Sequence, residues 1–192
     1  MLGEPAHCGF SLRALALAVP ILSVRVLRAN QQVLDASAGN SSYEGMGSTA
    51  TVLHVDEAAG MAYYAHVGDS RLYLLRRGVF RQVSRDHSYV EELVARGELS
   101  EAEAQHHPRK NVLLRAVGIE ERLHVDGDSF PLEAGDRLLL ATDGLTNMVD
   151  DDVLAALLGG DFANVAERMV EQALAGGGSD NITAIALAYE MP

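Results

Sequence analysis

The stretch MAYYAHVGDSRLYLLRRGVFRQVS, residues 61–84, contains three short runs rich in β-branched and aromatic residues. They lie at 61–68, 71–77 and 79–84 and are separated by the turn-like sequences GDS and RG. A fourth run of this kind, STATVLHVD at 48–56, precedes them and is joined to them by EAAG. Such runs between glycine-containing turns are typical of hairpin strands. The pattern predicts four strands in one antiparallel meander, because turns this short cannot connect parallel strands.

The rest of the chain alternates between helical and strand-like patterns. Before the meander, a helix is predicted at about Leu15 to Ala36, with Pro20 breaking its front half. Ser100 and Glu103 form a predicted capping box, and Gly97 is the predicted end of the preceding helix. The further predicted helices and strands are helices at 90–97, 100–107, 153–158 and 163–175 and strands at 112–117, 122–130, 137–142 and 182–189. The last run is apolar on both faces, which predicts a central strand, and the whole chain, 1–192, is predicted to be one α+β domain.

The composition restricts the class of protein. The 192 residues are 48% hydrophobic and 22% charged, which is ordinary for a globular domain with a sizeable core. The net charge of -12 argues against a nucleic-acid partner. The single cysteine, Cys8, excludes an internal disulfide and is typical of a reducing compartment, so we expect a cytoplasmic protein. The apolar segment 14–27 is too short for a membrane span and contains Pro20 and Arg25, and it predicts a buried helix or strand.

Three aspartates occur at predicted strand ends. Asp69 in HVGDSR and Asp143 in LLLATDGL each follow a strand, and Asp180 in GGGSDNIT precedes one. If these strand ends meet, the carboxylates converge and need cations or protons between them. Oxygen ligands alone are typical of Mg²⁺ or Mn²⁺ sites. The residues alone leave a second interpretation open, in which each acid only initiates a turn.

Five blocks follow one another in a fixed order: GMGSTATVL, AHVGDSRLYLLRRG, RDHSYVEELVARGELSEAEAQHHPRKNVLLRAVG, GDRLLLATDGLTNMV and GGGSDNITAIAL. In order and spacing, from about Gly45 to Tyr189, they resemble bacterial members of the metal-dependent serine/threonine protein phosphatases, the PPM or type 2C family. The resemblance implies a four-layer α/β/β/α sandwich of two antiparallel sheets flanked by helices. It also implies that residues 84–118 form the family's flap, a helical excursion beside the active site. The bases of this segment are interpreted as exposed charges rather than catalytic groups: Arg85, His87, Arg109 and Arg115.

The resemblance also implies the chemistry. In that family two metal ions bridge a water that attacks the phosphate in line, and the ions also hold phosphoryl oxygens. By the matching motifs, Asp143 and Asp180 are metal ligands and Asp69 helps to hold a third, weaker ion. No catalytic residue is identified beyond these ligands. The residues expected next to them are Gly144, which would let the backbone turn beside the ion, Asn181 and Ser70.

The resemblance is expected to fail before Gly45. Family members begin with strands that carry an R-x-x-N-E-D-type motif and a D-G-M-G-G or D-G-H-G-G motif, which supply the other metal-binding acids. Neither motif occurs here, and EGMGS at 44–48 matches a later segment of the family better. We therefore expect a domain that lacks its amino-terminal strands and half of the usual ligands. The exposed sheet edges would favour dimer formation.

These observations predict hydrolysis of phosphoserine and phosphothreonine in proteins by a metal-bound water, with Mn²⁺ or Mg²⁺ as cofactor. The expected partners are phosphorylated proteins, the substrates of serine/threonine kinases, and neither nucleic acid nor a membrane. The alternative is a catalytically inactive pseudophosphatase that acts as an interaction or regulatory module. The missing acids favour this alternative, whereas the three retained aspartates favour the enzyme.

Overall fold

A computed structural model describes residues 12–190, with the side chains described from residue 17 onwards. Cys8 therefore lies outside the described residues. In chain order the elements are α1 (Leu12–Gly39), a 3-10 turn (Ser41–Tyr43), β1 (Ala50–Asp56), β2 (Met61–Val67), β3 (Arg71–Arg76), β4 (Val79–Gln82), α2 (Tyr89–Ala95), α3 (Glu101–Gln105), β5 (Asp126–Pro131), β6 (Asp136–Ala141), α4 (Asp143–Thr146), α5 (Asp151–Gly159), α6 (Val165–Ala175) and β7 (Ala184–Tyr189).

The strands form two antiparallel sheets that pack face to face. One sheet has the order β1-β2-β5 and the other has the order β4-β3-β6-β7. Helix α1 packs on the outer face of the first sheet, and α5 and α6 pack on the outer face of the second. The predicted four-layer sandwich of two antiparallel sheets flanked by helices is confirmed. None of the helices in residues 12–190 is both long and apolar enough to cross a membrane.

The central strands are apolar on both faces because both faces are covered. In β3, Leu72 and Leu74 point into the layer between the sheets, whereas Tyr73 and Leu75 point towards α5 and α6. All four side chains are buried. The same alternation occurs in β6, where Leu138 points into the layer between the sheets and Leu139 points towards α5 and α6. The two-residue period of a strand therefore builds two separate cores from one apolar run.

The predicted single meander is wrong, because the chain changes sheets in its middle. Strands β1 and β2 pair in one sheet and β3 and β4 pair in the other, so residues 68–70 are a crossover and not a hairpin turn. Gly68 has φ of +109° at this point. A Cβ atom on Gly68 would lie 2.3 Å from the Cγ2 atom of Thr49. Only glycine fits such a conformation at such a distance, so Gly68 permits the crossover.

Two predicted strands also differ from the structure. Residues 112–117 form no strand and take part only in two isolated bridges, Ser88 with Leu113 and Ser48 with Val117. The predicted central strand at 182–189 is β7, which lies at the edge of its sheet and leaves Ile185 57% exposed. Apolar residues on both faces of a strand indicate that both faces of the sheet are packed against other elements. They do not indicate whether the strand pairs with one neighbour or with two. Self-association through this edge stays a prediction, which light scattering would check.

Helix α1 also differs from the prediction, because it continues through Pro20. Pro20 lies on the exposed side of α1, where the carbonyl group that loses its backbone donor can be hydrated. On the other side, Leu22 and Val26 are buried against the first sheet. The apolar segment 14–27 is therefore part of a helix that is buried on one face only.

Asn30 attaches α1 to the loop that leads into β5. Its side chain is 2% exposed, donates from Nδ2 to the carbonyl of Glu120 at 2.8 Å and accepts from the N–H of Gly118 at 2.7 Å. Asn30→Ala would leave both backbone groups without partners and should lower the free energy of unfolding by roughly 2–4 kcal/mol in urea denaturation. Gln31→Ala is the control, because the Gln31 side chain is exposed and bonds only within α1. Equal loss of stability in both variants would contradict this role of Asn30.

Candidate active site

One cleft of about 620 Å³ brings together the three aspartates singled out in the sequence. Asp69 lies in the crossover after β2, Asp143 is the first residue of α4 after β6, and Asp180 lies in the loop before β7. The cleft therefore opens where both sheets end on the same side of the sandwich. Its remaining walls come from the segment just before β1 and from the segment between β4 and β5, and include Ser48, Thr49, Asn111, Leu114, Arg115 and Ile119.

The carboxylates in this cleft are unfavourable as neighbouring anions. Burial and then the charges of Asp143 and Asp86 raise the pKa of Asp69 from 3.8 to about 6. Burial and then the charge of Asp180 raise the pKa of Asp143. The guanidinium of Arg71 acts in the opposite direction on both groups but does not cancel the rise. A cation in the cleft would counteract both the burial and the repulsion that raise the pKa values of Asp69 and Asp143.

Arg71 is a fixed charge behind the cleft. Its Nε and Nη2 atoms donate to the carboxylate of Asp86 at 3.0 and 2.8 Å, and its Nη1 atom donates to the hydroxyl of Tyr73 at 3.1 Å. Arg71 follows the crossover directly and is held by these three bonds. It therefore offsets part of the negative charge without occupying the cleft.

The start of α4, which carries Asp143, is in direct contact with the loop that carries Asp180. Thr142 donates from Oγ1 to the carbonyl of Asn181 at 3.2 Å. A Cβ atom on Gly144 would lie 2.3 Å from the same carbonyl oxygen. Gly144 is thus small because the Asn181 loop packs against it, and its φ is not positive. The expected backbone turn beside an ion stays a prediction. This close packing is what places Asp180 beside Asp143.

The interpretation of the aspartates as turn formers fits only one of the three. Asp180 accepts a hydrogen bond from the N–H of Asn181 at 2.7 Å, which is a local turn contact. Asp143 makes no capping bond on α4 and has only a long contact of 3.5 Å with Asn147. Ser70, which follows Asp69, bonds through its hydroxyl to that of Thr49 at 2.7 Å. Beyond that long contact, neither the Asp69 nor the Asp143 carboxylate bonds to another side chain of residues 12–190, although nearby backbone N–H groups favour their anionic forms.

The four bases of the flap segment have different environments. Arg85 forms an exposed ion pair with Glu91. Arg109 is also exposed, and its Cζ atom lies 3.8 Å from the centroid of the Tyr89 ring. His87 is buried, so its interpretation as an exposed charge is wrong. Arg115 lines the cleft and was missed as a site residue, because the apolar context LLRAVG carries no signal for it. It pairs with Asp126 of β5 at 2.7 Å.

The donor groups fit a hard divalent cation that keeps part of its water shell. The three side chains offer only carboxylate oxygens, the ligands that Mg²⁺ and Mn²⁺ prefer. Within residues 12–190, however, no three His, Cys, Asp or Glu side chains lie close enough together to form a ligand cage. The described residues thus offer carboxylate oxygens of the kind that such a cation prefers, without a cluster of three.

Comparison with known proteins agrees with this geometry. The family model for protein phosphatase 2C matches residues 11–93. The match therefore begins well before Gly45, which corrects the expected start of the resemblance, and it includes α1. Among curated proteins, the serine/threonine phosphatase stp of Listeria monocytogenes is 39% identical over 166 residues, which are 85% of this chain and 65% of that protein. The chain thus spans slightly less than two thirds of this relative.

Solved structures give the same result. The serine/threonine phosphatase Stp1 from Staphylococcus aureus superposes with a TM-score of 0.87 at 32% identity, over 95% of this chain and 72% of that one. The catalytic domain of the serine/threonine protein phosphatase PstP, solved in complex with two manganese ions, superposes with a TM-score of 0.79 at 31% identity. That match covers 95% of this chain and 72% of the PstP chain.

Proposed function

The chain belongs to the protein phosphatase 2C family, the metal-dependent serine/threonine protein phosphatases, and from this membership we propose that it hydrolyses phosphoserine and phosphothreonine in proteins. The observation that carries the proposal is the convergence of Asp69, Asp143 and Asp180 on one cleft. The raised pKa values of Asp69 and Asp143 indicate that negative charge is already unfavourable in this cleft, which would therefore repel a phosphate dianion. A phosphate ester can enter such a cleft only together with cations, so we expect the activity to be strictly metal-dependent.

In this proposal, Asp143 and Asp180 hold a two-metal site for Mn²⁺ or Mg²⁺, and Asp69 helps to hold a third ion. When bound, these ions supply the positive charge for the phosphoryl oxygens and activate the attacking water. The protein contributes rigid placement of its carboxylates, through the packing of Gly144 on the Asn181 loop. Arg115 brings a guanidinium to the flap side of the cleft, where the phosphorylated segment would enter.

The setting of the enzyme is part of the same proposal. The family's activity implies phosphorylated proteins as substrates, and therefore serine/threonine kinases as the enzymes that it opposes. The single cysteine of the chain fits a reducing compartment, and we place the protein in the cytoplasm. Cell fractionation with an antibody against this chain would test that placement.

The first experiment is hydrolysis of p-nitrophenyl phosphate by the 192-residue chain. We expect turnover in millimolar Mn²⁺ and its loss when EDTA removes the metal, because the carboxylates alone cannot accommodate a phosphate dianion. Circular dichroism with and without EDTA should show the same fold, so that loss of activity is not loss of structure. A folded chain that shows no Mn²⁺-dependent turnover would contradict the proposal and indicate the pseudophosphatase alternative.

A further inference from the structure

The crossover between the two sheets is fixed on both sides of Asp69. On the Ser70 side, Thr51 of β1 donates from its hydroxyl to the Ser70 carbonyl at 2.8 Å, and the Thr49 hydroxyl bonds to the Ser70 hydroxyl. On the other side, Gly68 is held by a single residue of the flap segment, His87. Glycine has the largest conformational freedom of any residue, so the position of Asp69 depends on these bonds.

His87 satisfies both backbone groups of Gly68. Its backbone N–H donates to the Gly68 carbonyl at 2.7 Å, and its ring atom Nδ1 accepts from the Gly68 N–H at 3.1 Å. Since Nδ1 accepts, the neutral ring carries its proton on Nε2. The ring is buried next to the ring of His66, with 4.8 Å between their centroids. Burial also lowers the pKa of His87, which favours this neutral form.

The same residue is anchored to the cleft wall. The carbonyl of His87 accepts from the N–H of Leu114 at 2.8 Å. Its Nε2 atom lies 3.1 Å from Oδ2 of Asp126, although the two are not aligned as a good hydrogen bond. Asp126 in turn binds Arg115 through its other oxygen at 2.7 Å. The imidazole of His87 therefore bonds to the crossover through Nδ1 and lies next to Asp126 on its other side. Asp126 links it to Arg115, a lining residue of the cleft.

We infer that His87 is a positioning residue that fixes the Asp69 crossover relative to the flap, through the bond between its Nδ1 atom and the Gly68 N–H. Displacement of the flap at Leu114 would pull on His87 and so on the residue before Asp69. The inference rests on the proposed function only where it treats Asp69 as a metal ligand. The hydrogen-bonding role itself belongs to the metal-free chain.

Two substitutions distinguish the bond made by Nδ1 of His87 from the contact made by Nε2. In His87→Asn, the amide oxygen takes the place of Nδ1 and can still accept from Gly68, but nothing reaches Asp126. In His87→Gln, the amide takes the place of Nε2 near Asp126, and the acceptor for Gly68 is lost. His106→Asn and His106→Gln make the same changes at an exposed position of the flap, where the ring contacts only its own helical turn. Circular dichroism would establish that each variant is folded.

The first readout is exchange of the backbone amide hydrogen of Gly68 in the metal-free protein, measured by NMR. We expect His87→Gln to accelerate this exchange by about 10-fold or more, because the N–H loses its acceptor, and His87→Asn to change it little. The His106 variants should exchange like the parent chain. Equal acceleration in both His87 variants, or in neither, would overturn the inference.

The second readout is the affinity of the weakest Mn²⁺ site, followed by electron paramagnetic resonance of free Mn²⁺. Loss of a group that orients a ligand typically lowers metal affinity by about 10- to 100-fold, so we expect a loss of this size for His87→Gln and recovery of most of it in His87→Asn. Equal affinities in parent and His87→Gln would overturn the positioning role for Asp69. If the parent chain itself binds no Mn²⁺, the proposed function fails, while the exchange data still decide whether His87 positions the crossover.

Discussion

Asp143→Asn should reduce Mn²⁺-dependent hydrolysis of p-nitrophenyl phosphate by about 100-fold or more, because an amide cannot neutralise a divalent cation. The fold should tolerate the change well. Among the described side chains only Asn147 approaches the Asp143 carboxylate, at 3.5 Å. Burial and the charge of Asp180 raise the pKa of Asp143 more than the Gly144 N–H lowers it, so its anionic form is unfavourable. We therefore expect the variant to unfold at the same or a higher urea concentration than the parent chain in the absence of metal.

Asp180→Asn should also lower the activity. The loop that carries Asp180 packs against the start of α4, and the carboxylates of Asp143 and Asp180 line the same cleft. The matched control is Asp152→Asn, which makes the same chemical change at an exposed position of α5 outside the cleft. Steady-state kinetics over a range of Mn²⁺ concentrations would show whether the variants need more metal or turn over more slowly when saturated. Activity of Asp143→Asn within a few-fold of the Asp152→Asn control would show that Asp143 is not a metal ligand.

Local patterns in the sequence predict much of this fold correctly. The capping box of Ser100 and Glu103 is present, with the Ser100 N–H donating to the Glu103 carboxylate at 2.8 Å. Gly97 follows the end of α2 with a positive φ, as a glycine after a helix often does. These features depend on residues three or four positions apart, so the sequence itself contains the interacting groups. The family resemblance adds the arrangement of the sheets, which local patterns do not contain.

The features around the cleft that sequence reasoning missed depend on distant contacts. The sequence pattern predicts a hairpin turn at residues 68–70, whereas the pairing of β2 with β1 and of β3 with β4 makes them a crossover between sheets. His87 reads as a surface base, but its ring is enclosed by the crossover, β2 and β5. Arg115 reaches the cleft because the chain between β4 and β5 folds back over it. None of these placements leaves a periodic or compositional signal in a single sequence.

Asp69→Asn should stabilise the metal-free protein at neutral pH. In the folded chain the pKa of Asp69 is about 6, against an ordinary value of 3.8, so above pH 6 folding carries the cost of an anion in an unfavourable place. Full conversion of that difference overstates the cost, because the side chain is only partly buried and water screens it. We expect a gain of roughly 1–2 kcal/mol in the free energy of unfolding at about pH 7.5 in urea denaturation with EDTA.

The stability difference between Asp69→Asn and the parent chain should depend on pH, whereas simple loss of a contact would change stability equally at each pH. As the pH falls from above 6 towards 4, the Asp69 carboxyl of the folded parent chain becomes protonated and its cost disappears, so the advantage of Asp69→Asn should shrink. His66 acts in the opposite direction on both proteins: burial lowers its pKa to about 4, so acid favours the unfolded chain. The difference between variant and parent cancels that effect.

Addition of Mn²⁺ should reduce the stability advantage of Asp69→Asn over the parent chain. A cation that binds only the folded chain stabilises it by mass action, and the parent chain retains the carboxylate that Asp69→Asn has lost. We therefore expect Mn²⁺ to raise the melting temperature of the parent chain more than that of the variant at about pH 7.5, where the Asp69 carboxylate is ionised. A variant that is less stable than the parent without metal would mean that Asp69 stabilises the fold. In that case the Asp69 charge would not destabilise the metal-free fold, and the prediction would be wrong.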